Sequence, residues 1–73
     1  MQHYQYTVIL EAQPEGGFTV TVPALPGCVT EGDTKEEALA MAQDAISGYI
    51  ACLIEDGKPL PEDVSVEAVK VVA

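Results

Sequence analysis

With 73 residues, 48% of them apolar, the chain is long enough for one small domain and too apolar for a disordered tail. Twelve carboxylates face three lysines and no arginine, for a formal net charge of −9, which sets the chain against phosphate backbones, whose binding rests on Lys and Arg. Two cysteines, no charged-then-apolar leader and no apolar run of about 18 residues argue against a disulfide scaffold, an export signal and a membrane span, and for a reduced cytoplasmic setting.

Residues 3–12 alternate, with Tyr4, Tyr6, Val8, Leu10 and Ala12 on one face and Gln5, Thr7, Ile9 and Glu11 on the other. Period two in aromatic and β-branched residues predicts a half-buried strand. Gln13-Pro14-Glu15-Gly16-Gly17 is a turn cluster, because Pro presets one φ and Gly supplies positive φ. Residues 18–22 alternate again, Phe18, Val20 and Val22 against Thr19 and Thr21, so the two runs predict an antiparallel hairpin with a loop of about five residues. Pro23, Pro26 and Gly27 end the second run, and residues 28–31 form a short third strand candidate between glycines 27 and 32.

Gly32-Asp33-Thr34 then opens a helix expected over residues 35–56. Thr34 suits the N-cap, with its hydroxyl accepting from the N–H of Glu37 and the Glu37 carboxylate reaching back to the N–H of Thr34 as a capping box. Asp33, Glu36 and Glu37 place negative charge at the positive end of the helix dipole. Ala38, Ala42, Ala45, Tyr49, Cys52 and Leu53, joined by Leu39, Met41 and Ile46, recur at three-to-four spacing and predict the buried stripe. Gly48 inside the helix marks either close packing or a tolerated surface position. Gly57 suits the C′ position, and Pro59 and Pro61 prevent resumption.

Residues 64–72 predict a fourth strand: Val64, Val66 and Ala68 alternate with Ser65 and Glu67, and from Val69 onward both faces are apolar. Short connections make strands one to three a meander. The helix returns the chain across the apolar face, and strand four lies beside strand one. The expected fold is an α+β two-layer β-β-β-α-β sandwich with sheet order 3-2-1-4, in a single domain over residues 1–73. Its core is expected from Tyr4, Tyr6, Val8, Leu10, Phe18, Val20, Ala42, Ala45, Ile46, Tyr49 and Leu53. Small size and the two-sided apolar end of strand four predict a homodimer or a homotetramer, with Val69, Val71 and Val72 in the interface.

The titratable residues do not assemble an enzyme's signature. A nucleophilic Cys wants a base and an orienting group, and Cys28 and Cys52 have only His3 as an imidazole, itself expected to be exposed at the terminus. Zinc-ligand spacing is missing, Gly16-Gly17 lacks the Lys and following helix of a phosphate loop, and the carboxylates at the helix start are explained by capping. No catalytic residue, metal or cofactor is expected, and no enzyme activity.

The stretch Leu25-Pro26-Gly27-Cys28-Val29-Thr30-Glu31-Gly32-Asp33-Thr34-Lys35-Glu36-Glu37-Ala38 resembles the signature of HicB-type antitoxins. The preceding Gly17-Phe18-Thr19-Val20-Thr21-Val22-Pro23 and the later Gly57-Lys58-Pro59-Leu60-Pro61 turn are similar to that family as well. The resemblance implies the partial ribonuclease-H-like fold of the family's N-terminal domain. It also implies binding to, and neutralisation of, a HicA-type toxin, a small basic ribonuclease that cleaves mRNA. Many relatives carry a C-terminal DNA-binding module, and this sequence ends at Ala73 without one, so direct nucleic-acid binding is not expected. The alternative is a stand-alone HicB-like oligomeric interaction module with another protein or ligand partner and no toxin. Glu11, Glu31, Asp33, Glu36 and Glu55 are the candidate partner contacts, chosen as acidic and exposed.

Overall fold

A computed structural model describes residues 4–72 of the chain. His3 and Ala73 lie outside the described residues, and the expectation about His3 with them. Three strands, β1 (Ile9–Ala12), β2 (Phe18–Thr21) and β3 (Val29–Gly32), form an antiparallel sheet in the order β1-β2-β3, followed by one helix, α1 (Lys35–Glu55). The chain is therefore α+β, with the helix packed under β3 and β2.

The hairpin forms as its alternation dictates. Leu10 opposes Val20 and Ala12 opposes Phe18 on the inner face, while Ile9 opposes Thr21 and Glu11 opposes Thr19 on the outer one. The five-residue loop closes with the Gln13 N–H donating to the Gly17 carbonyl at 3.0 Å, and Gly16 and Gly17 carry the positive φ that it needs. β3 continues the register, with Thr30 opposite Val20 and Glu31 opposite Thr19. The third strand begins one residue later than its sequence pattern suggests, because Cys28 is drawn into the core.

The loop from Val22 to Cys28 is more than a turn. Its backbone folds on itself through Val22 N–H to the Cys28 carbonyl, Leu25 N–H to the Val22 carbonyl and Cys28 N–H to the Leu25 carbonyl, each at 3.0 Å. This drives Leu25 into the interior, where it is 0% exposed among Val22, Cys28 and Ile50. The Tyr49 hydroxyl donates to the Pro26 carbonyl at 3.2 Å and ties the loop to the helix.

The helix starts as the local sequence specifies: the Thr34 hydroxyl accepts from Glu37 N–H at 3.1 Å. The reciprocal bond is displaced by one residue, since Glu37 Oε1 accepts from the N–H of Asp33 at 3.3 Å and not from that of Thr34. At the C-terminus Gly57, at φ 68°, donates to Ile54 and Lys58 donates to Leu53, the two bonds of a Schellman cap on Asp56. Ala38 and Ala42 are buried with Val20, and Ile50 is buried with Val22, Leu25 and Cys28, against which Ala45, Ile46, Tyr49 and Leu53 pack. Cys52, Leu39 and Met41, expected on the buried stripe, are exposed, because the stripe follows Ala42, Ile46, Ile50 and Leu53 along the side that meets the Leu25 loop. Gly48 has open space around it and is a surface position.

Of the expected core, Val20 and Ala42 are buried and Tyr6, Val8, Leu10, Phe18, Ala45, Ile46, Tyr49 and Leu53 are half-buried against it; Tyr4 is exposed. The most buried side chains include Val22, on the apolar face of the second run, and Leu25, which the turn pattern had concealed.

Two expectations on the β1 side are not met in this chain. Residues 4–8, read as the first half of strand one, lie outside the ladder, and residues 64–72, read as strand four, form no ladder among the described residues. Val66, Val69, Val71 and Val72 are 75, 83, 79 and 89% exposed, so these residues form an arm beyond the packed body. The pattern is consistent with this: from Val69 both faces turn apolar, and a single layer would cover only one of them.

Candidate partner interface on the outer sheet face

The sheet registers fix what the solvent-facing side presents. Glu11, Thr19 and Glu31 stand opposite one another across the three strands, and Ile9, Thr21 and Val29 form the next outward row. Strand spacing puts the two glutamates about 10 Å apart, on either side of Thr19. The Gln13 amide donates to the Thr19 hydroxyl at 3.0 Å and fixes the middle of the acidic row. Ile9 and Val29 are 48 and 54% exposed, so an apolar row runs beside the acidic one. The face thus combines an apolar strip with negative charge, the composition that a partner with an apolar patch and a basic rim would complement.

More carboxylates gather where the sheet meets the helix start. Gly17 lies against the backbone of Gly32 and Asp33, so the hairpin turn with Glu15 abuts the segment carrying Asp33, Glu36 and Glu37, all exposed. Of the five acidic residues singled out from the sequence, the structure brings Glu11 and Glu31 into one row and sets Asp33 and Glu36 just beyond the end of β3. Glu55 stands apart at the other end of α1, about 28 Å from Glu36 along the helix axis. Sequence reasoning set Ile9 on this face beside Glu11 but did not count it, or Val29, among the partner contacts. The signal was Ile9 itself, the single apolar residue on the otherwise polar side of strand one.

Among the described residues no group of three His, Cys, Asp or Glu side chains could hold a metal ion. Cys28 is buried and its thiol is pushed up in pKa by desolvation, the reverse of activation for nucleophilic attack. Cys52 is exposed, and both cysteines are free thiols. No helix of the described residues is long and apolar enough to cross a membrane.

Residues 6–72 match the family described as the HicB-like antitoxin of the bacterial toxin–antitoxin system. The chain belongs to the HicB-like antitoxin family. A UPF0150 protein of Thermoplasma acidophilum is 46% identical over 59 residues, which cover 81% of this chain and 86% of that protein. Antitoxin HicB 1 of Photorhabdus laumondii is 41% identical over 61 residues, 84% of this chain and 39% of that protein. Antitoxin HicB of Escherichia coli K12 is 35% identical over 57 residues, 78% of this chain and 41% of that protein. The match thus takes in most of the UPF0150 relative but about two fifths of the two proteins named antitoxin HicB. The loop and helix start that carried the resemblance prove to be structural: Leu25 and Cys28 plug the core, and Thr34 caps the helix.

Proposed function

We propose that this chain neutralises a small basic HicA-type ribonuclease toxin by docking its outer sheet face on the toxin, in the cytoplasm and without chemistry of its own. The observation that carries the reading is the pair of rows Glu11–Thr19–Glu31 and Ile9–Thr21–Val29, acidic and apolar side by side on an open face. An acidic chain of net charge −9 attracts a basic partner at long range, and the apolar row supplies burial once contact is made. Inhibition follows from covering the toxin's RNA-binding surface or catalytic histidine. Glu11, Glu31, Asp33 and Glu36 are the proposed contacts; Glu55, at the far end of the helix, is a peripheral one.

The proposal includes a completed sheet. β1 is paired on one side by β2, and residues 64–72 supply a fourth strand that extends the order to 3-2-1-4, as in a partial ribonuclease-H-like sheet. The exposed valines of the arm also support a second reading, a stand-alone oligomeric module with another partner and no toxin.

Co-expression with the product of the adjacent reading frame separates the readings. The antitoxin reading expects co-purification and loss of RNA cleavage by that protein when this chain is added. A basic neighbour that neither co-purifies nor loses cleavage overturns it in favour of the stand-alone module.

A further inference from the structure

The β1 side of the molecule holds two unsatisfied features of matching length. One is a groove of about 570 Å³ between residues 4–8 and α1, lined by Tyr6, Val8, Leu39, Ile46, Ile50 and Ile54 among others. The other is the arm of residues 64–72, as long as the stretch of residues 4–12 that borders the groove and leads into β1. The arm does not fill the groove of its own chain, for none of its residues lines it and its outer valines are largely exposed.

The arm's departure point is fixed. Asp63 accepts from Thr7 N–H at 2.9 and 3.0 Å and from the Thr7 hydroxyl at 2.7 Å, while the Tyr6 hydroxyl donates to the Pro61 carbonyl at 2.6 Å. Pro59 and Pro61 hold φ near −65° and bias the residues before them to extended backbone, which resists folding the exit back on itself. The arm is also neutral, with Glu67 balanced by Lys70, whereas the rest of the chain carries the whole net charge of −9. A second copy's body is repelled by this one, and its arm is not.

We infer that the arm of one copy lies in the groove and along the free edge of β1 of a second copy, in a reciprocal, strand-exchanged dimer. The inference rests on the reading of residues 64–72 as the fourth strand and adds which chain supplies it. In the exchanged dimer one face of the arm lies on Tyr6, Ile46 and Ile50 of the second copy, beside that copy's own emerging arm. Reciprocal exchange is a low-cost route to a closed dimer, and it removes an exposed strand edge. Val69, Val71 and Val72 are then buried between chains.

Isotope-filtered NMR on an equal mixture of ¹⁵N- and ¹³C-labelled full-length chains, denatured and refolded together, reads the exchange directly. The expected result is nuclear Overhauser contacts between the arm valines of one label and Tyr6, Val8 or Ile46 of the other, at a sedimentation mass of two chains. The double variant V66D/V69D should raise the dimer dissociation constant about 100-fold or more while the far-ultraviolet helix signal persists. Contacts confined to one label in a monomer overturn the exchange and leave the fourth strand in place within its own chain. A dimer or monomer with no arm-to-groove contacts overturns both the exchange and the fourth strand. Dimerisation unchanged in the double variant also overturns the exchange.

Discussion

At the β3 edge the chain completes its own packing, whereas along β1 it leaves a groove open and an arm unpaired. On the β3 side Leu25 and Val22 are sealed under the loop, and the end of the strand touches the helix so closely that a Cβ on Gly32 would fall 2.7 Å from the Ala38 Cα and closer still to its amide nitrogen. The Thr30 hydroxyl donates to the Ala38 carbonyl at 3.4 Å across the same contact. On the β1 side the first aromatic positions line a groove, and the inner face meets the helix only through half-buried side chains such as Val8 and Leu10. One sheet thus has one side sealed by its own loop and helix and one side left with an open groove. The face between them carries the proposed partner contacts.

If this contrast is right, substitutions in the sealed half cost the most. Leu25→Ala should lower stability by roughly 2–5 kcal/mol in urea unfolding, and by more than Leu53→Ala, whose side chain is only half-buried. Equal losses at the two positions would show that the loop is not the core plug. Gly32→Ala should cost about 1–3 kcal/mol, because the new methyl meets helix backbone that must shift, not a side chain that can swing away. A Gly32→Ala protein with an unchanged unfolding midpoint would remove the close approach from the account.

These two residues also show what was legible in the sequence. Hairpin, helix cap, helix end and strand parity came from local rules: alternation, a Thr three residues before a Glu, and a Gly followed by prolines. The inner and outer faces followed from parity, so Glu11 and Glu31 could be singled out as exposed before the register put them in one row. Leu25 was hidden because Pro and Gly around it signal a turn, and turn chemistry says nothing about whether an apolar residue within it points inward. The close approach at Gly32 is tertiary, visible only once β3 and α1 meet. The arm resisted reading for a different reason: its two-sided apolar pattern reports that it will be covered, not by which chain.

A smaller effect tests the hinge of the open side. Hydrogen bonds from the Thr7 hydroxyl and backbone hold the Asp63 carboxyl below its ordinary pKa. A depressed folded-state pKa means that the clamp contributes fully above the unfolded value, about 3.9, and is lost as pH falls through the folded value. The Thr7 amide resonance should therefore titrate with a midpoint below about 3.9, and the transition should vanish in Asp63→Asn. A midpoint at or above that value would mean that Asp63 does not anchor the arm's exit in solution.

The proposed interface is tested most directly by association kinetics with the product of the adjacent reading frame. Glu11→Lys/Glu31→Lys reverses the acidic row on the outer face, and Glu55→Lys/Asp56→Lys reverses an equal charge at the far end of the helix. Both change net charge by the same amount, so any general attraction falls equally. Stopped-flow measurement at low salt should show association slowed roughly 10-fold or more by the first pair and markedly less by the second, with the gap closing as salt is raised. Equal slowing by the two pairs, or none by the first, would contradict docking through the outer sheet face.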